Sequence, residues 1–107
     1  MLFRSKAIAN KDGYRAAHFG LGRILINQGK AAEAIDAFRQ AVTPPPDAND
    51  PDAPRYLYAL GATYARAGEK AKAIDCLRDA LRRATALRQT PLVESLTRDL
   101  QALEQGR

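Results

Sequence analysis

The stretch LGRILINQGKAAEAIDAFRQA, Leu21 to Ala41, returns 39 residues later as LGATYARAGEKAKAIDCLRDA, Leu60 to Ala80. The copies agree in register at Leu, Gly, a second Gly, two Ala, Ile, Asp, Arg and a closing Ala. A segment duplicated at this period predicts units that stack on one another, because neither copy buries its apolar face alone. With 107 residues there is room for one small domain, so the copies must share a core.

Within each copy the apolar positions recur at steps of three and four, which gathers them on one stripe of a helix. Tyr14, Ala17, Leu21, Ile24 and Leu25 make the first stripe, with Asp12 placed to cap it and Gly29 to end it in a left-handed conformation. After that reversal, Ala34, Ile35, Phe38, Ala41 and Val42 make a second stripe. Leu57, Leu60, Gly61, Tyr64 and Ala67 repeat the first, Gly68 repeats the stop, and Ala73, Ile74, Leu77, Ala80 and Leu81 repeat the second. The segment TPPPDANDPDAP, Thr43 to Pro54, cannot continue a helix and reads as a stiff loop. Asp50 or Asp52 is then the cap of the next helix, with Pro51 or Pro54 in its first turn. Thr90 and Pro91 open a last helix with its stripe at Leu92, Val93, Leu96, Leu100 and Leu103, whose polar outer face suits a solubilising cap. Five helices follow, in an all-α chain. The absence of Trp and the scarcity of β-branched residues beside many Ala, Leu, Arg and Glu agree with that class.

Several function classes lack their residues. No apolar run approaches the roughly 18 to 20 residues that span a bilayer, and MLFRSKAIAN has no apolar stretch behind its charge to make an export signal. The expectation is a cytoplasmic protein. Cys76, the single cysteine, excludes an internal disulfide or a multi-cysteine metal site and reads as helix packing. His18 falls in the packing stripe and reads as structural. No phosphate loop, metal-ligand spacing or triad-like motif is present, so the expectation is no enzyme, no catalytic residue, no metal and no cofactor. The net charge of +5 suits an acidic partner. Arg78, Arg82, Arg83 and Arg88 gather toward one helix end, which leaves nucleic-acid binding as a less favoured alternative, since cations there also answer the helix dipole.

Gly22 and Gly61 lie inside helices, where each costs about 1 kcal/mol relative to Ala. Close helix approach is the expected reason, with Ala34 and Ala73 supplying a shallow facing surface. Phe38 and Leu77, then Ala41 and Ala80, alternate large with small for the next hairpin to fit against.

A Leu-Gly pair, a bulky residue three after the Gly, a turn Gly four further on, then Ala, Phe or Leu, and Ala at fixed steps resemble the tetratricopeptide repeat family. The matching residues are Leu21, Gly22, Leu25, Gly29, Ala34, Phe38, Ala41 and Pro46, and again Leu60, Gly61, Tyr64, Gly68, Ala73, Leu77 and Ala80. His18 and Leu57 stand where the family favours a large apolar residue, and Thr85 replaces the second closing proline, so that helix is expected to run to about Arg88. The family period is about 34 residues. The excess here falls in the proline-rich loop. Sel1-like repeats also use Leu-Gly and Ala, but the GKAAEAI and GEKAKAI spacing fits tetratricopeptide repeats better.

The resemblance implies a right-handed stack of antiparallel helical hairpins in one domain over residues 1–107. It divides into the tail of an incomplete repeat at 1–11, repeats at 14–46 and 54–88, and a capping helix at 90–105. Phe3 to Ala9 reads as the end of a second helix whose first helix is missing, which points to a longer array. Leu2, Phe3 and Ile8 could instead join a neighbouring chain as a homodimer. The resemblance further implies a concave groove holding an extended peptide or partner helix. Carried onto this chain, the groove positions are Ala16, Phe19, Arg23, Ile26 and Asn27, then Arg55, Tyr58, Ala62, Ala65 and Arg66, with Arg98 at the end of the row. Aromatic and Arg residues are the types enriched at binding hot spots, and Arg23 and Arg66 suit an acidic peptide or a terminal carboxylate. Chaperone-binding members use a Lys and Asn clamp. Here Phe19, Arg23 and Ala59 occupy clamp positions, so that clamp is not reproduced.

Overall fold

The computed structural model describes residues 11–106. The expected incomplete repeat ahead of α1, and the self-association through Leu2, Phe3 and Ile8, fall outside those residues. Five helices follow in order: α1 Lys11–Asn27, α2 Ala31–Ala41, α3 Ala53–Arg66, α4 Lys70–Ala86 and α5 Thr90–Glu104. No strand occurs among the described residues. Helix α1 packs on α2, α3 on α4, α2 on α3, and α4 on α5.

The hairpin turns have one construction. At Gly29 (φ 77°) the Gly29 amide donates to the Ile26 carbonyl and the Lys30 amide to the Leu25 carbonyl, at 2.9 Å each. Gly68 (φ 84°) repeats this, with Gly68 donating to Ala65 at 3.1 Å and Glu69 to Tyr64 at 2.9 Å. These are Schellman closures, and their left-handed residue favours glycine. The third turn makes the same bonds with Arg88 (φ 58°) in the glycine place, through Arg88 to Thr85 at 3.1 Å and Gln89 to Ala84 at 2.9 Å. Helix α4 therefore stops at Ala86, short of the expected Arg88, because the Ala84 and Thr85 carbonyls of its last turn are taken by the reversal.

The helix starts differ from expectation. Helix α1 begins at Lys11, which places Asp12 inside it rather than at the cap. Asp52 holds the cap position of α3 without a side-chain cap bond. Its carboxylate meets Arg55 at 3.1 Å, while its amide donates to the Asp50 carboxylate at 2.9 Å. Pro54 and Pro91 lie in the first turns of α3 and α5, and Thr90 is already helical behind Gln89. In the three short turns the cap residues Lys30, Glu69 and Gln89 make no side-chain cap bond, and their own amides close the preceding helix.

Gly22 and Gly61 do serve close approach, though the neighbour is a large side chain. A Cβ on Gly22 would lie 2.4 Å from the Phe38 ring, and one on Gly61 2.8 Å from Leu77 and 3.2 Å from the Ala73 carbonyl. The long side chain thus lies across the glycine, and Ala34 and Ala73 are buried beside it. Two core clusters result. Ala34, Phe38 and Leu60 form the first, and Leu57, Leu77, Ala80, Ala84, Leu96 and Leu100 the second, with half-buried Val42 packed against both.

The loop between α2 and α3 includes a cis Thr43–Pro44 peptide. Arg83 donates to the Pro46 and Asp47 carbonyls at 3.2 and 3.3 Å, and the Gln89 side-chain Nε2 to the Pro51 carbonyl at 2.9 Å, so α4 and the turn after it hold the loop. Arg15, 4% exposed, donates to the Ala41 carbonyl at 3.0 Å and satisfies an acceptor at the end of α2.

The expected first stripe is only partly buried. Tyr14 and Leu25 are half-buried, but Ala17, Leu21 and Ile24 are exposed, because no described helix covers that side of α1.

Candidate functional site

Helices α1 and α3 lie side by side in the stack, and the face they share with α2 encloses a cleft of about 240 Å³. Five of the expected groove residues, Arg23, Ile26, Asn27, Ala62 and Arg66, line it. Phe38, Ala59 and Thr63 supply the rest of the lining. Small residues at 59 and 62 open the space, and the Phe38 ring reaches it because Gly22 leaves its path clear.

Arg23 and Arg66 are exposed and make no ion pair with any described carboxylate, whereas Arg39, Arg55, Arg78, Arg82, Arg83 and Arg98 all do. The cleft thus combines an apolar floor with two uncompensated guanidiniums. Each presents a planar fork of donors that matches a carboxylate.

The other expected groove residues lie elsewhere. Phe19 is half-buried between hairpins, its ring 5.7 Å from Phe38 and 4.8 Å from Tyr56. Arg55 lies 5.2 Å above the Phe19 ring and Arg23 5.9 Å from it, both within cation–π range. Tyr58 is directed at the capping helix, where its hydroxyl donates to the Asp99 carboxylate. Burial first, and that bond second, push the Tyr58 phenol up to about 12. Arg98 is exposed beside Asp99. Ala62 and Ala65 border a second cleft of about 240 Å³ toward α5, closed by Leu77, Asp99, Ala102 and Leu103.

Tyr56, Thr63 and Asp99 were not expected at the site. Asp99 follows the α5 stripe residue Leu96 by three positions, which is the signal that could have placed it against α3. Thr63 is buried and donates to the Ala59 carbonyl at 2.7 Å, so its hydroxyl is satisfied inside its own helix. Tyr56 carries no such signal, because in the run Tyr56, Leu57, Tyr58 either tyrosine could have been the one facing the first hairpin.

The two residues with reactive side chains are both in packing environments. His18 is half-buried and edge-on to Tyr14 at 4.4 Å, and Tyr14 in turn donates to Gln40 at 2.7 Å. Cys76 packs against the Ala34, Phe38 and Leu60 cluster, and burial pushes its thiol up to about 11. Among the described residues, no group of three or more His, Cys, Asp or Glu could hold a metal ion. The basic cluster on α4 is largely engaged within the chain. Arg78 meets Glu104 at 2.5 Å, and Arg82 and Arg83 both pair with Asp79. No described helix is long and apolar enough to cross a membrane.

Comparison with known families reads the same hairpins. A tetratricopeptide repeat model matches residues 5–51, and a second tetratricopeptide repeat model matches residues 54–87. The chain belongs to the tetratricopeptide repeat family. Tetratricopeptide repeats are in general protein–protein interaction modules. A search among curated proteins finds no match.

Proposed function

We propose that this tetratricopeptide repeat chain is a non-enzymatic interaction module that binds an acidic peptide or partner helix in the cleft between α1 and α3. The carrying observation is the pair Arg23 and Arg66, left without described carboxylate partners at the edge of an apolar floor. An acidic side chain or terminal carboxylate of the ligand would take charge-assisted bonds from them. An apolar neighbour in the ligand would rest on Phe38, Ile26 and the alanines. The second cleft, with Asp99 at its edge, continues the surface toward α5 and disfavours a further acidic residue there.

Panning a displayed random-peptide library against the wild-type chain tests this. Enriched sequences should carry Asp or Glu beside an apolar residue. A double Arg23→Ala, Arg66→Ala variant with unchanged circular dichroism should bind them at least about 10-fold more weakly, which is about 1.4 kcal/mol. Equal binding by the two proteins, or enrichment without acidic residues, removes the reading.

A further inference from the structure

Among the described residues, Arg23 and Arg66 are the only charged side chains lining the α1–α3 cleft, so two positive charges face it with no carboxylate between them. The stretch ahead of α1 has none to offer, because residues 1–10, MLFRSKAIAN, hold no Asp or Glu. Asp12 stands about three turns before Arg23 on α1, about 16 Å along the axis. Arg66 is in the last turn of α3, where a cation also answers the helix dipole, but Arg23 precedes the last turn of α1 and has no such account.

The repeat register fixes where the two arginines stand. At the offset of 39, Arg23 corresponds to Ala62 and Asn27 to Arg66, so the guanidiniums come from different walls of the cleft and from different turns. An anion between them is reached from two directions. A carboxylate has a single charge and two oxygens in one plane, which one guanidinium fork satisfies. The second guanidinium would then stay uncompensated beside an apolar floor. A phosphate monoester has about two negative charges at pH 7 and three acceptor oxygens on a tetrahedral centre, so two forks can share it. Asn27, exposed on the Arg23 wall and level with Arg66, adds an amide donor.

We propose that the acidic group taken by this cleft is a phosphorylated residue of a peptide, its dianionic phosphate bridged by Arg23 and Arg66. The apolar part of the peptide beside the phosphate rests on Phe38 and Ile26, a floor that a free phosphate ion would leave uncovered. This rests on the acidic-peptide reading of the same cleft and narrows it to a partner that binds once it is phosphorylated.

The test uses degenerate peptide arrays in four sets that differ at one fixed central residue: phosphoserine, phosphotyrosine, glutamate or serine. A phosphorylated set should retain the full wild-type chain above the glutamate set, with apolar residues selected beside the fixed position. The strongest phosphopeptide, labelled with fluorescein, should bind in anisotropy at least about 10-fold more tightly than its glutamate counterpart. Either single substitution, Arg23→Ala or Arg66→Ala, should reduce that preference to about 3-fold or less, since one guanidinium needs only one charge. Both side chains are exposed, so circular dichroism should be unchanged. Lowering the pH from about 7.5 to about 5.5 should weaken the phosphopeptide about 4-fold and leave the glutamate peptide little changed, because the second phosphate ionisation lies near 6 and the two arginines of the cleft do not titrate there. Equal retention of the glutamate and phosphorylated sets would overturn the proposal and leave the acidic-peptide reading standing. A preference that survives both single substitutions would overturn it by placing the phosphate elsewhere, and no retention by any set would remove both readings.

Discussion

Leu21 and Leu60 hold the same place in their repeats, yet one is 45% exposed and the other 4%. Their own helices and the hairpin partners of those helices are alike. What differs is the preceding element, since α2 covers Leu60 and no described helix covers Leu21. Phe19 and Tyr58 make the same comparison in the other direction along the stack. The element after α1 is α3, which meets Phe19 with the Tyr56 ring, whereas the element after α3 is α5, which meets Tyr58 with a carboxylate. A repeat position therefore has a role only once its neighbour in the stack is known.

The largest expected effect sharpens the Leu21 and Leu60 contrast directly. Leu60→Ala should cost about 2–4 kcal/mol in urea unfolding, and Leu21→Ala within about 0.5 kcal/mol. Equal losses would mean that both sides of the stack are covered in solution.

Gly61→Ala and Gly22→Ala come next. Each gains about 1 kcal/mol of helix propensity against an overpacking cost of about 1–3 kcal/mol. Gly61 should be the worse of the two, since the Ala73 backbone carbonyl lies 3.2 Å from the added Cβ behind the Leu77 side chain, whereas Gly22 meets the outer atoms of a side chain, the Phe38 ring. A stabilised Gly61→Ala would break the close-approach argument.

Tyr58→Phe should cost about 1 kcal/mol and change the alkaline limb of stability. The folded phenol titrates near 12 against 10 for the free group, so its contribution is complete below pH 10 and is lost as pH rises toward 12. Stability followed across that window should fall less steeply in the variant. Identical limbs would detach Tyr58 from Asp99.

The smallest effect concerns the third turn. Arg88→Gly should raise stability by about 1 kcal/mol, because a left-handed residue with a Cβ is strained by roughly that amount. Gly68→Ala at the matching turn should lose a similar amount, and equal and opposite shifts in the unfolding midpoint would show that the turns are interchangeable.

The helices and their turns were legible in the sequence because both depend on short-range terms. Gly29 and Gly68 announce left-handed closures by lacking a Cβ, and the three-and-four spacing of Ala34, Phe38 and Ala41 announces one helix face. Arg88 was missed for the same reason, since arginine gives no local sign of a conformation that the surrounding closure imposes. At the cleft, Arg23, Asn27, Ala62 and Arg66 were legible as one row because helical spacing aligns them once the repeat register is fixed. The roles of Phe19, Arg55 and Tyr58 were not, because each depends on a residue from a different hairpin or from the capping helix.

By itself, the sequence determined a set of paired helices, their reversals, the loop that separates the pairs and the family to which they belong. Local propensity, glycine stereochemistry and a repeated apolar period are enough for that. The tertiary structure alone decided which copy of each repeated residue is covered. It also decided which arginines pair with carboxylates and which remain open at the cleft. Burial and charge compensation are properties of contacts between elements, and one sequence pattern written twice cannot say what packs against each copy.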